Sequence, residues 1–297
     1  MMKVAFIGLG RMGSRMARRL LDGHHELRVF NRAAGRAAGL AAEGAHRCAT
    51  AREACNGADA VVCMLSDDEA SREVWLGADG ALAASLASGA LAVECSTLSH
   101  DWVLELSAAA ARKGLRYIDS PVTGLPDTAA AGELTLLVGA HPEHLGAAQP
   151  LLARFSQRII HFGDVGAGTA YKLLVNMLGA VQIASAAETM AIAEKAGLDA
   201  GTVAAALATG QAASPQVIRN TRRIADSEHD RDVVFTPQLR LKDVDYALRL
   251  ARKLGIGSPF GALAGDLFRQ LCALGAGQAN ESRVIEVARL QPVQRTA

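Results

Sequence analysis

Aromatic side chains are scarce in this sequence: seven Phe, three Tyr and two Trp make up 4% of 297 residues. Proteins that grip single-stranded nucleic acid stack bases on aromatic platforms, and too few rings are present to build one. Neither sign of charge is in excess. Thirty-one Lys and Arg stand against 30 Asp and Glu, for a net charge of +1, whereas a phosphate-backbone binder carries a basic surplus. No nucleic-acid partner is therefore expected. Cysteine is sparse and odd in number (Cys48, Cys55, Cys63, Cys95 and Cys272) and no pair is C-x-x-C. Neither a disulfide framework nor a metal site is expected, and the pattern suits a reducing cytoplasm. Long unbroken apolar runs are also missing. The least charged stretch, 165–187, is interrupted by Lys172, Asn176, Gln182 and Ser185, so no membrane span is expected. The apolar run 4–9 is stopped by Arg11 and no A-x-A follows, unlike a signal peptide.

Half of the chain is hydrophobic, enough for a sizeable core. The first half alternates apolar runs with helical patterns. Strands are expected over 3–7, 27–30, 60–65, 91–95, 115–120, 134–138 and 159–162, and helices over 11–21, 101–112 and 142–155. Such alternation implies a mostly parallel sheet with helices on both faces. After Gly163-Asp164-Val165-Gly166-Ala167-Gly168 no strand pattern appears. A long helix is expected over 169–196, stopped by Gly197. Asp199, Ser214-Pro215, Thr236-Pro237 and Ser258-Pro259 read as capped starts of further helices. The composition change places a domain boundary at 164/165, giving domains 1–164 and 165–297. Residues 291–297 are expected to fray.

Gly8-Leu9-Gly10-Arg11-Met12-Gly13 fits G-x-G-x-x-G, following the first strand and opening the first helix. In that context the pattern is a dinucleotide cradle. Gly8 permits the tight turn, Gly10 admits the pyrophosphate to the backbone, and Gly13 allows close helix–strand packing. Helix N–H groups face the phosphates. The fold expected is an α/β Rossmann-type N-terminal domain followed by an all-α C-terminal domain. At the end of the second strand, where an NAD site places Asp or Glu on the ribose 2′-OH, stand Asn31 and Arg32, with Arg36 one turn on. A 2′-phosphate would be attracted there, which favours NADP(H) over NAD(H); the alternative is that Arg32 is a solvated loop residue. Arg11, Arg15 and Arg18 share a helix face that reads as either solvated or an anion patch.

Lys172 is the only charged residue of 165–187. An ammonium is costly to desolvate, and desolvation lowers its pKa toward values that suit proton transfer. Asn176 lies one helical turn on. From spacing alone, a snorkelling lysine is the favoured explanation.

Here the chain resembles the β-hydroxyacid dehydrogenases over nearly its whole length. The start through Ala17 is similar to the family's G-L-G-x-M-G-x-x-M-A signature. Cys63-Met64-Leu65-Ser66 resembles the loop under the nicotinamide ribose, and Glu94-Cys95-Ser96-Thr97 the D-x-S-T strand end. Asp119-Ser120-Pro121-Val122-Thr123-Gly124 resembles the D-A-P-V-S-G substrate loop, followed by a G-x-L-T at Gly132-Glu133-Leu134-Thr135. Gly166-Ala167-Gly168 with Lys172 and Asn176 resembles the G-x-G-x-x-x-K-x-x-x-N catalytic helix, and Lys242-Asp243 the family's K-D pair.

The resemblance implies an NADP(H)-dependent oxidoreductase for a short β-hydroxyacid or its semialdehyde. Lys172 would be the general acid and base, and Asn176 would orient it and the substrate. Thr123 and Gly124 would hold the substrate carboxylate, Thr97 would touch substrate and nicotinamide, and Phe235 and Asp243 would close the site. Gly8, Leu9, Gly10, Arg11, Met12, Gly13, Asn31, Arg32, Met64, Leu65, Ser66, Thr97 and Lys242 would meet the cofactor. Two departures bear on the substrate: Leu125 replaces a second glycine, and Val175 replaces an asparagine beside Asn176. Alternatives are an imine reductase of the same fold, which usually lacks the lysine, and a non-catalytic NADP-binding protein. The helix 169–196 is too apolar for one small domain to cover, and family members assemble, so a homodimer or homotetramer is expected.

Overall fold

The β-branched and alanine-rich runs of the first half form strands, seven of them where strands are expected and two short ones besides. In the computed structural model, which describes residues 1–290, these are β1 (Lys3–Ile7), β2 (Glu26–Phe30), β3 (His46–Arg47), β4 (Ala60–Cys63), β5 (Leu91–Glu94), β6 (Arg116–Asp119), β7 (Val122–Thr123), β8 (Leu134–Gly139) and β9 (Ser156–Gly163). The fraying expected over 291–297 lies outside the described residues. β3, β2, β1, β4, β5 and β6 lie side by side in that order, all parallel. That is the Rossmann arrangement, and its chain-order reversal between β1 and β4 opens a crevice at the strands' carboxyl ends. β8 joins β6 and β7 antiparallel and β9 parallel. β4 and β5 are buried throughout, as covered parallel strands are. β3 and β7, two residues each, are too short to leave an alternation in the sequence. β4 stops at Cys63 rather than at residue 65; the Leu65 N–H goes to the Ser96 hydroxyl at 2.6 Å rather than to a strand.

One apolar cluster lies on each side of the sheet: Phe6, Met16, Leu20, Val62, Ile118 and Phe155 in one, and Ile7, Val61, Trp75, Trp102, Leu106 and Tyr117 in the other. The compact units of the chain are Met1–Lys172 and Leu173 onward, so the division falls inside the long helix Ala167–Lys195, beyond the composition change at 164/165. Asp119 stands at the end of β6. Its Oδ1 accepts the Gly166 N–H at 2.7 Å and its Oδ2 the Thr169 N–H at 2.8 Å, fastening the first helical turn to the sheet.

Among the described residues, the second unit contains helices and no strands. The long helix contributes Ala180, Ile183, Ala187 and Met190 to this unit's own core, with Val244, Leu267, Phe268 and Ile285. By length and apolar content it is nonetheless sufficient to cross a membrane, which corrects the expectation that its polar residues disqualify it; a core helix meets the same criterion. Asp199, Ser214 and Thr236 cap helices Ala200–Thr209, Pro215–Ala225 and Pro237–Lys253, accepting the N–H groups of Thr202, Val217 and Leu239. Ser258 precedes Pro259–Leu271 without a side-chain capping bond, because its backbone (φ −130°, ψ 67°) leaves the usual cap conformation.

Candidate active site

The crevice of the first unit is a cleft of about 680 Å³. Gly8, Gly10, Asn31, Arg32, Met64, Leu65 and Ser66 line it, and so do Phe30, Arg36, Thr50, Glu73 and Asp79. The glycines divide the work by sterics. A Cβ on Gly8 would strike the Met64 carbonyl oxygen, and one on Gly13 the Gly8 carbonyl oxygen, whereas one on Gly10 would meet nothing within 4 Å. Gly10 therefore faces open space, where the backbone can receive a pyrophosphate. Gly8 has φ +96°, a region costly to any side chain. Helix Gly13–Asp22 begins with no side-chain cap at Met12, so its N-terminal dipole is directed to the cleft without a competing side chain. These features fit a dinucleotide.

Not every motif residue lines the cleft. Gly13 is buried against Gly8, and Leu9 belongs to the apolar core. Arg11, Met12 and Thr97 are also absent from the lining. Asn31 is partly committed: its Oδ1 accepts the Leu9 N–H at 2.8 Å and its Nδ2 donates to the Ala33 carbonyl at 3.0 Å. It thus braces the glycine loop from the end of β2. Arg18 pairs with Glu43, its Nε 2.7 Å from Oε2, which removes it from any anion patch.

The Met64–Ser66 turn is held from beneath by a network that motif spacing does not reveal. Ser96 Oγ donates to Glu94 Oε1 at 2.5 Å and accepts the Leu65 N–H at 2.6 Å. Glu94 Oε2 accepts from Trp75 Nε1 at 2.8 Å and Ser71 Oγ at 3.0 Å. Burial raises the Glu94 pKa against the pull of these donors.

The expected substrate loop continues from β6. Gly124 has φ +142°, and a Cβ there would press on Leu134 and Thr128. Thr123 is exposed and pairs with Thr135 across β7 and β8. The Leu125 side chain is 42% exposed, and its N–H donates to Thr128 Oγ1 at 3.3 Å; that N–H is engaged by its own helix start. Lys172 meets this loop directly: Nζ donates to the Val122 carbonyl at 2.8 Å. Lys172 is half-buried, and its amine is bonded to the segment that precedes Thr123 and Gly124.

Within the second unit, Asn176 Nδ2 donates to Asp243 Oδ2 at 2.6 Å, and Lys242 Nζ lies 3.1 Å from Asp243 Oδ1. Asp243 is buried and Phe235 half-buried. Arg240, which nothing in the spacing singles out, reaches both Phe235 and Asn176. Cys48, with His46 and Glu53, places three potential metal-ligand atoms within 4.8 Å of one another, a grouping that the search for C-x-x-C does not detect. Glu53 is already committed to the Ala49 N–H at 2.6 Å, and burial pushes the Cys48 thiol up to about 11.

A parallel Rossmann sheet with a glycine cradle, followed by a helical unit, defines a nicotinamide-dinucleotide oxidoreductase. Residues 3–163 match the NAD binding domain of 6-phosphogluconate dehydrogenase, and residues 166–288 the NAD-binding region of NADP-dependent 3-hydroxyisobutyrate dehydrogenase. An NAD-dependent L-serine dehydrogenase of Pseudomonas aeruginosa is 36% identical, over 96% of this chain and 97% of its own. The structure of Mycobacterium tuberculosis 3-hydroxyisobutyrate dehydrogenase with L-serine superimposes with a TM-score of 0.86 at 31% identity, covering 97% and 99% of the two chains. The chain belongs to the β-hydroxyacid dehydrogenase family. An imine reductase from Pseudomonas sp. covers 95% of this chain and 98% of its own with a TM-score of 0.58; at 21% identity it shares the fold alone.

Proposed function

We propose that this chain interconverts a short β-hydroxyacid and its semialdehyde with NADP(H), and that Lys172 is the general acid and base. The observation that carries this is the 2.8 Å bond from Lys172 Nζ to the Val122 carbonyl. It fixes the amine beside the Thr123–Gly124 turn, where a carboxylate would find a hydroxyl and a main-chain N–H. When bound, the nicotinamide supplies or accepts the hydride. Lys172 then protonates the carbonyl oxygen in reduction and receives the hydroxyl proton in oxidation, a task typically worth ~10²–10⁴-fold in rate. Thr97 contacts substrate and nicotinamide, Asn176 orients the amine and the substrate, and Asp243 holds the Asn176 amide. Phe235 and Lys242 complete the proposed set, Phe235 for the substrate and Lys242 for the cofactor.

NADP(H) preference is supported by Arg32 and Arg36 in the cleft lining and by the absence of a carboxylate at the end of β2. Relatives named for L-serine and 3-hydroxyisobutyrate support a small carboxylate substrate. A second copy of the chain covers the exposed Leu174, Leu178 and Ile192 of the long helix, giving a homodimer or larger. The five free thiols suit the cytoplasm. The test is a panel of β-hydroxyacids and semialdehydes, 3-hydroxyisobutyrate and L-serine among them, assayed with NADP(H) and NAD(H). Turnover of a short β-hydroxyacid with NADP⁺ preferred is the expected result. No turnover across the panel, or faster turnover with NAD⁺, overturns the corresponding half of the proposal.

A further inference from the structure

We propose that the buried Arg240–Glu281 ion pair is a positioning device that sets the main chain of Asn176 and the ring of Phe235 for catalysis; this rests on the function proposed above. Arg240 is 3% and Glu281 1% exposed. Arg240 Nε and Nη2 both donate to Glu281 Oε2, at 2.9 and 2.7 Å. The remaining nitrogen, Nη1, donates to the Asn176 carbonyl at 3.0 Å. The guanidinium lies 4.4 Å from the Phe235 ring centroid. Glu281 is held in turn: its N–H donates to the Phe235 carbonyl at 3.3 Å, and its Oε1 accepts Arg219 Nη2 at 2.7 Å. A chain of contacts thus runs from Phe235 through Glu281 and Arg240 to Asn176.

Two further features point to placement. Gly179 lies one turn beyond Asn176, and a Cβ there would come within 3.3 Å of Arg240 Nη1; the glycine leaves the guanidinium room against the helix. Asp243, three residues after Arg240 on the same helix face, takes the Asn176 amide at 2.6 Å. Helix Pro237–Lys253 therefore holds Asn176 twice, by its carbonyl and by its side chain. Stability alone does not account for the pair, because burying two charges costs about what their attraction returns, and apolar residues of similar size are often as good or better. What an apolar substitute lacks is direction. A planar guanidinium with each of its three nitrogens bonded fixes its partners' positions, which a flexible ammonium does not.

The experiment compares Arg240→Met, Glu281→Leu, their double variant, Arg240→Lys and Asn176→Ala. Readouts are Tm, kcat and the KM values for NADP⁺ and for the faster of 3-hydroxyisobutyrate and L-serine. Arg240→Met leaves buried Glu281 with Arg219 alone, Glu281→Leu leaves buried Arg240 without its carboxylate, and each lowers Tm. The double variant regains the parental Tm while its kcat stays down by about ten- to a hundredfold, the scale expected of a misplaced catalytic group, with KM for NADP⁺ unchanged. Arg240→Lys keeps Glu281 paired and is also slow. Asn176→Ala adds little to the slowing in the double variant, because both changes act through one residue. Parental kcat in the double variant or in Arg240→Lys, beside a slow Asn176→Ala, overturns the positioning proposal alone. Parental kcat in Asn176→Ala overturns it together with the role proposed for Asn176.

Discussion

The two units fix their candidate site residues by opposite means. In the first, the cleft presents main chain. Gly8 and Gly13 are excluded from carrying a side chain by carbonyl oxygens, and Gly10 opens onto space. In the second, buried charges hold a side chain and its carbonyl: Asp243 on Asn176, and Glu281 through Arg240 on the same residue. Main-chain recognition suits a cofactor whose pyrophosphate is constant, since backbone N–H groups are indifferent to what the rest of the ligand is. Side-chain recognition can change one residue at a time, and so suits a substrate that differs among relatives. Lys172 is the last residue of the first unit and combines both modes, a side chain bonded to a main-chain carbonyl.

The sharpest way to break this comparison is Lys172→Ala. It should lower kcat by ~10²–10⁴-fold and leave NADPH affinity, a property of the glycine cradle, nearly unchanged. Lys172→Arg should not restore the rate, since guanidinium stays protonated and differs in shape. A raised KM with parental kcat would instead mean that Lys172 only attracts the substrate carboxylate.

Asp119 tests how the first unit anchors the long helix. Burial pushes its carboxyl up from 3.8 to about 6, outweighing the N–H bonds from Gly166 and Thr169. A folded pKa above the unfolded one means that its contribution is complete below about pH 4 and is lost as pH rises through 6. Relative to Asp119→Asn, the parent should lose up to about 3 kcal/mol of stability between pH 4 and 7. Denaturant titrations across that range measure it, and a difference that does not vary with pH contradicts the assignment.

Arg32→Ala addresses the cleft itself. Losing a charge-assisted contact to the 2′-phosphate should weaken NADPH binding by ~1–3 kcal/mol and leave NADH nearly unaffected; equal weakening of both would show that Arg32 serves the loop. The smallest effect contrasts two helix starts of the second unit. Thr236→Ala removes an observed cap and should cost about 1 kcal/mol by thermal melt, while Ser258→Ala, with no such bond to lose, should stay within about 0.5 kcal/mol.

Much of this could be read in advance. The strands expected over 3–7, 91–95 and 134–138 differ from β1, β5 and β8 by at most one residue, because strands buried on both faces write themselves as apolar runs. The proline-led helix starts at 215, 237 and 259 stand where expected. The Ser258 cap failed on backbone geometry, which no residue type announces. Leu9 and Gly13 belong to the motif yet serve its packing and do not line the cleft.

By itself the sequence determined the Rossmann unit, the helical unit and the cradle. Their instructions are local: a turn, a helix start and a period of apolar residues lie within a few positions of one another. Only the tertiary structure decided what holds the site. Asp119 meets Gly166 across 47 positions, Arg240 meets Glu281 across 41, and Asn176 meets Asp243 across 67. A buried carboxylate or guanidinium is costly until its partner arrives, and that partner is chosen by packing rather than by spacing along the chain.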